Sequence, residues 1–164
     1  MTFDPEAFMR QHVDAPLETE FTSVPQGEYL ASIDDFDSSA IESIDFTYKR
    51  GPNAGSPGKM LKLTLPFVID DAAVKQALGR DKVVVTKQVI LDTDDNGSLA
   101  IGTNRNVELG RIREAVGQNG NGPWSIMNLR GAGPVMVKIA HVEFDRRDGS
   151  KGKRTEVERV VRVA

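Results

Sequence analysis

The 164-residue chain has no cysteine, which excludes disulfides, thiolate metal sites and a cysteine nucleophile and is compatible with a reducing compartment. Its only histidines, His12 and His141, lie far apart and form no ligand-spaced pair, so a zinc site would have to be rich in carboxylates. No apolar run approaches the roughly 20 residues that span a bilayer. The opening MTFDPEAFMR also lacks the basic-then-apolar layout of a signal peptide. These absences predict a soluble, unexported protein that does not engage membranes. Positive charge is nearly missing from residues 1–47, where eleven carboxylates face Arg10 alone and sum to −10. With a whole-chain charge of −3, the remaining 117 residues therefore sum to +7. A polyanion binder needs only one basic face; the alternative is a mixed, solubilising surface.

What is present points to β structure. In KMLKLTLPFVID, residues 59–70, Leu61, Leu63, Leu65, Phe67 and Ile69 recur at every second position, the period of a half-buried strand. Residues 27–36 (GEYLASIDDF) carry Tyr29, Ala31 and Ile33 at every second position, and 41–50 (IESIDFTYKR) continue extended with Ile44, Phe46 and Tyr48 on one face. KVVVTKQVILD, 82–92, is a β-branched strand. Residues 134–145 and 155–163 flank RRDGSKGKR, whose Asp148-Gly149 marks a hairpin turn. Residues 70–78 read as a short helix with an N-cap carboxylate and Gly79 as its stop. NVELGRIREAV, 106–116, reads as a second helix, and Trp124, Ile126 and Leu129 as plugs of the core. Asp4-Pro5-Glu6 opens a short helix with proline in its first turn, ahead of an extended or partly disordered arm.

A length of 164 residues suits one domain with a substantial core. The division expected is an acidic arm over 1–26 and a single domain over 27–164. Taking 27–50 as one interrupted strand, the order is three strands, helix, two strands, with a small helix between the second and third. That is the order of a five-stranded OB barrel. The fold class expected is therefore mainly β with two or three short helices: an OB-like barrel with an N-terminal extension. A small sandwich or another open barrel gives a similar string.

In an OB barrel the ligand lies on strands two and three, framed by the loops joining strands one to two and four to five. Here those loops are KRGPNAGSPGK, 49–59, and RRDGSKGKR, 146–154. Lys49, Arg50, Lys59, Arg146, Arg147, Lys151, Lys153 and Arg154 would supply phosphate contacts, with Lys62 and Lys87 lining the groove between them. Tyr48 and Phe144, and also Phe46, are the adjacent aromatics on which bases could stack. The reading requires the two loops to be neighbours in space. Against it, hairpin-tip cations are often merely solvated and Phe46 and Phe144 could belong to the core.

Other motifs carry less. Asp92, Asp94 and Asn96 followed by Gly97 match the opening of a calcium loop, but position twelve is Thr103 and no helix pair flanks it, so a turn explains them better. The glycine-rich loop before Lys59 lacks the first glycine and the hydroxyl of a P-loop and precedes a strand. No nucleophile–base set or carboxylate pair can be nominated, so the expectation is a protein without enzymatic activity or cofactor.

MTFDPEAFM, VPQGEY, VTKQVILD, NVELGRIREAVGQN with PWSIMNLRG, and the closing hairpin resemble a family of bacteriophage early proteins, described as single-stranded DNA-binding proteins with an OB-type barrel. The resemblance covers most of the chain and implies a phage protein in the host bacterial cytoplasm that coats single-stranded DNA during replication or recombination. Many such proteins carry an acidic tail at the C-terminus; here the acidic segment, with Asp4, Glu6, Asp14, Glu18 and Glu20, is N-terminal. It is a candidate for recruiting phage or host replication proteins, or for occupying the basic groove. Two rivals stand beside this reading: a virion structural or assembly protein using a small barrel as an interaction module, and a metal-dependent nuclease accessory built on Asp92–Asp95. A homo-oligomer is left open, as is RNA in place of DNA.

Overall fold

A computed structural model describes residues 2–19 and 21–163. Six antiparallel strands form one open sheet: β1 (Gly27–Ile33), β2 (Ile41–Thr47), β3 (Pro57–Ile69), β4 (Val84–Leu91), β5 (Val135–Asp145) and β6 (Lys151–Arg162). Three short helices accompany it, α1 (Pro5–Met9), α2 (Ala72–Leu78) and α3 (Val107–Ala115).

The long alternating stretch is the strand on which the sheet is built. Leu63, Leu65, Phe67 and Ile69 are fully buried, while Lys62, Thr64 and Pro66 turn to the opposite, outer face. One edge of β3 pairs with β2 over its first half, from Thr47↔Pro57 to Ile41↔Leu63, and with β1 at its end, through Ala31↔Ile69. The other edge pairs with β4 from Leu61↔Leu91 to Val68↔Val84. The sheet then continues from β1 to β5 and from β5 to β6. The pairings make β4 and β6 run in the same direction, and they end as edge strands facing each other across a seam.

The interrupted first strand is two strands. Between β1 and β2 the chain leaves the ladder at Asp34 and makes a 3-10 turn at Ser38–Ala40. Asp37 accepts from Ser39 N–H at 2.9 Å and Asp35 from Phe36 N–H at 3.1 Å, so short polar side chains take the amides that a ladder would have used. The expected helices form with the expected ends: Asp71 caps α2 by accepting from Val74 N–H at 2.9 Å, and Gly79 closes it at φ 66°. Both hairpin loops are shorter than the sequence suggests. Pro57-Gly58-Lys59 and Lys151–Arg154 belong to strands, because pairing against β2 and β5 overrides the weak strand preference of glycine and lysine.

The core joins the inner faces of β3, β4, β1, β5 and β6 to Leu109 and Ile112 of α3. Leu129 is fully buried, with Trp124 and Ile126 packed against the same cluster. No helix among the described residues is long and apolar enough to cross a membrane.

Candidate nucleic-acid interface

Two hairpins carry the basic loops, and each ends in an aromatic ring seated on a cross-strand glycine. In the β2–β3 hairpin Phe46 is opposite Gly58. A Cβ at Gly58 would stand 2.7 Å from both the Phe46 and Tyr48 rings, and these rings pack edge-on with centroids 4.9 Å apart. In the β5–β6 hairpin Phe144 is opposite Gly152, where a Cβ would stand 2.5 Å from the ring. Gly152 is buried beneath a ring that is itself 39% exposed. Close approach favours glycine in both places, where an added Cβ would displace the ring.

The ladder places these rings on the same side of the sheet. Phe46 and Gly58 alternate with the buried leucines of β3 and share the outer face with Lys62. Phe144 alternates with Val137 and Ile139 and so also points outward. Along the strands, however, the tips lie in opposite directions. From the level at which Ala31 pairs with both Ile69 and Val135, one hairpin runs to Pro57 and the other to Asp145. No hydrogen bond or ion pair between described residues joins the two loops.

The cations divide by what they already hold. Lys62 pairs with Glu42 at 3.4 Å, Lys151 with Asp145 at 2.6 Å and Arg154 with Glu156 at 3.2 Å. Arg146 donates to the Lys151 carbonyl at 3.1 Å, and its guanidinium carbon lies 5.8 Å from the Phe144 ring centre. Asp148 belongs to the turn: the Ser150 hydroxyl and N–H donate to it and hold its carboxyl below the usual range. Lys49, Arg50, Lys59, Arg147 and Lys153 are exposed and have no carboxylate within ion-pair distance among the described residues. The second loop is therefore opposed by more than Asp148, since Asp145 and Glu156 each neutralise one of its cations.

Lys87 is not in any such groove. It pairs with Leu65 on the inner face of β4 and is 8% exposed. Its ammonium donates to the carbonyls of Val157 at 3.3 Å and Glu158 at 3.0 Å and pairs with Glu108 at 2.9 Å. It thus latches β6 and α3 onto β4 across the seam, on the side of the sheet opposite to Lys62. A lone lysine between Val85 and Val89 in a strict alternation was the available signal. The partner carbonyls, some seventy positions away, were not visible. No family model, curated protein or solved structure matches this chain.

Two further features bear on the interface. The 34–40 turn lies over the outer face beside Thr64, Pro66 and Thr86, bringing Asp34 to Lys82 and Asp35 to Arg130, each at 2.7 Å. The Lys82 ammonium donating to Asp34 holds that carboxyl below its usual range. These carboxylates offset Lys82 and Arg130 beside the outer face. At Asp92–Gly97, Asp94 accepts from Asn96 N–H at 2.9 Å and Ser98 N–H at 3.0 Å. Asp92 N–H donates to Asn106 Oδ1 at 2.8 Å, while Asn106 Nδ2 donates to the Asp92 and Ala100 carbonyls at 3.0 and 2.8 Å. The segment is a turn docked onto the start of α3, and among the described residues no acidic or histidine cluster is arranged to hold a metal.

Proposed function

We propose that the chain is a non-enzymatic single-stranded DNA-binding protein with an OB-like architecture, contacting the strand through its two projecting hairpins. The observation that carries this is the repeated device at their ends: an aromatic seated on a glycine, flanked by cations without carboxylate partners. Stacking on such a ring tolerates any base, and the cations gain by releasing counterions from the phosphates.

The pairing order supports the OB reading. β1 and β2 together occupy the place of a first strand against β3, β4 and β6 run parallel across the seam, and α3 falls between the third and fourth strands so counted. The seam is bridged by Lys87 instead of ladder hydrogen bonds. Because the tips run to opposite ends of the ladders, the proposed contact is a track across the outer face with an anchor at either end. The DNA-coating role in phage replication or recombination, and the host cytoplasm as its place, rest on the sequence resemblance.

Fluorescence anisotropy of labelled oligo-dT of about 30 nucleotides, beside a duplex of equal length, tests the reading; the length exceeds the roughly 4–16 nucleotides bound per OB fold. Salt-sensitive preference for the single strand, weakened when Arg50, Lys59, Arg147 and Lys153 become glutamate, is the expected result. Absence of binding at low salt would overturn it in favour of an assembly module.

A further inference from the structure

The N-terminal arm and a cleft elsewhere on the molecule are complementary in charge and polarity. Every described residue from 2 to 23 is exposed. Phe3, Phe8, Met9, Val13, Leu17 and Phe21 are between 62% and 91% exposed, in a segment whose five carboxylates face only Arg10. Its first turns are nevertheless shaped: Asp4 caps α1, and the Phe3 and Phe8 rings pack with centroids 5.6 Å apart. The arm is pinned where it meets the domain. Val24 is buried and its carbonyl lies 2.7 Å from His141 Nε2, Gln26 Oε1 accepts from His141 N–H at 3.0 Å, and Tyr29 donates to the Pro25 carbonyl at 2.8 Å.

The cleft, about 630 Å³, lies between α3 and β6. Its lining carries five cations against three carboxylates, and Ile112, Ala115, Val160 and Val161 supply apolar surface. Arg111 and Arg159 are more than half exposed at its rim, Arg111 sharing Glu108 with Lys87 at 3.4 Å and Arg159 pairing with Glu28 at 3.8 Å, while Lys138 pairs with Glu158 at 3.4 Å. Arg162 donates only to the Glu114 carbonyl, at 3.0 Å. An acidic segment with aromatic side chains matches this surface in both charge and polarity.

We propose that the arm of one copy docks in the α3–β6 cleft of a second copy of this chain. Glu28, just after the arm's root, is the partner of Arg159, so root and rim share one surface. Twenty extended residues reach about 65 Å, ample to cross to a neighbour. In the single chain every described arm residue is exposed and none lines the cleft, so the occupant assigned to the cleft is a neighbour's arm. Arm exchange is either reciprocal, closing a two-fold dimer, or passed from copy to copy head to tail into rings or filaments.

The test is sedimentation velocity of the full chain without nucleic acid, so its outcome does not depend on DNA binding. One variant carries Glu6→Lys, Asp14→Lys and Glu18→Lys in the arm; the other carries Arg111→Glu and Arg159→Glu in the cleft. All five side chains are exposed, so folding is retained, as circular dichroism would check. The wild type is expected to associate as concentration rises and to dissociate with salt. Each variant alone should associate at least about tenfold more weakly. Mixing the two should restore assembly, since both kinds of arm then find a cleft of opposite sign. A wild type that stays monomeric, or association that survives both reversals, or a mixture no stronger than its components, would overturn the proposal.

Discussion

Lys87 and Asn106 each hold together parts of the fold that the ladders leave apart. Replacing Lys87 with methionine keeps the stem but leaves the Val157 and Glu158 carbonyls without their donor and Glu108 without its nearer cation. The expected cost is about 2 kcal/mol, read as a lower urea midpoint. The same variant changes the acid limb of stability. Donation from Lys87 holds the Glu108 carboxyl below its ordinary 4.5 in the folded protein, so its contribution is complete above that value and disappears as pH falls through the lower, folded one. Lys87→Met should therefore flatten the loss of stability below about pH 4.5, leaving the parts owed to Arg111 beside Glu108 and to the other lowered carboxyls, Asp34 held by Lys82, Asp37 by Ser39 and Asp148 by Ser150. Asn106 stands in the left-handed region at φ 50° while its amide joins Asp92 to Ala100. Asn106→Ala loses the bonds and keeps the backbone strain, Asn106→Gly loses the bonds alone. Thermal unfolding should rank wild type above glycine and glycine above alanine, with the last gap about 1 kcal/mol.

At the scale of elements, the aromatic-on-glycine pairs make a prediction that separates packing from binding. Gly58→Ala and Gly152→Ala put a methyl where Phe46, Tyr48 and Phe144 now lie. Since these rings stand at exposed hairpin ends, they can swing away at a stability cost of about 1 kcal/mol or less. A displaced ring no longer offers its seated geometry to a base, so oligo-dT affinity should fall several-fold, about one stacking contact, with unfolding midpoints nearly unchanged. Equal affinity in both alanine variants would exclude the rings as platforms. The elements themselves were legible wherever one face is buried: the Leu61–Ile69 alternation, the caps of α2 and the span of α3 all follow from local chemistry. Register was not. That Phe46 meets Gly58 and Phe144 meets Gly152, that Lys151–Arg154 is strand, and that the two tips run apart all depend on pairings between segments. The 34–40 turn was hidden for a related reason, because its aspartates and serines satisfy the backbone locally within a stretch that otherwise reads as extended.

Across the whole molecule, the arm and the 34–40 turn are acidic, and each hairpin end carries exposed cations with no carboxylate partner among the described residues. A strand of nucleic acid that follows these cations meets one anchor before the other. Oligonucleotides too short to span both should bind through a single hairpin, and affinity should rise again once the length allows the second, within the roughly 4–16 nucleotides typical of one OB fold. Each phosphate neutralised on a single strand contributes about −0.7 to the slope of log affinity against log salt. Changing Arg50 and Lys59 to glutamine should thus make the slope for a long oligomer shallower by about 1.4, and changing Arg147 and Lys153 should do the same at the other end. With a short oligomer the two pairs should not act equally, because only the hairpin in contact can release counterions. Slopes unchanged by either pair would show that these cations are solvated tips, and identical losses at every length would show that both hairpins grip the same few nucleotides.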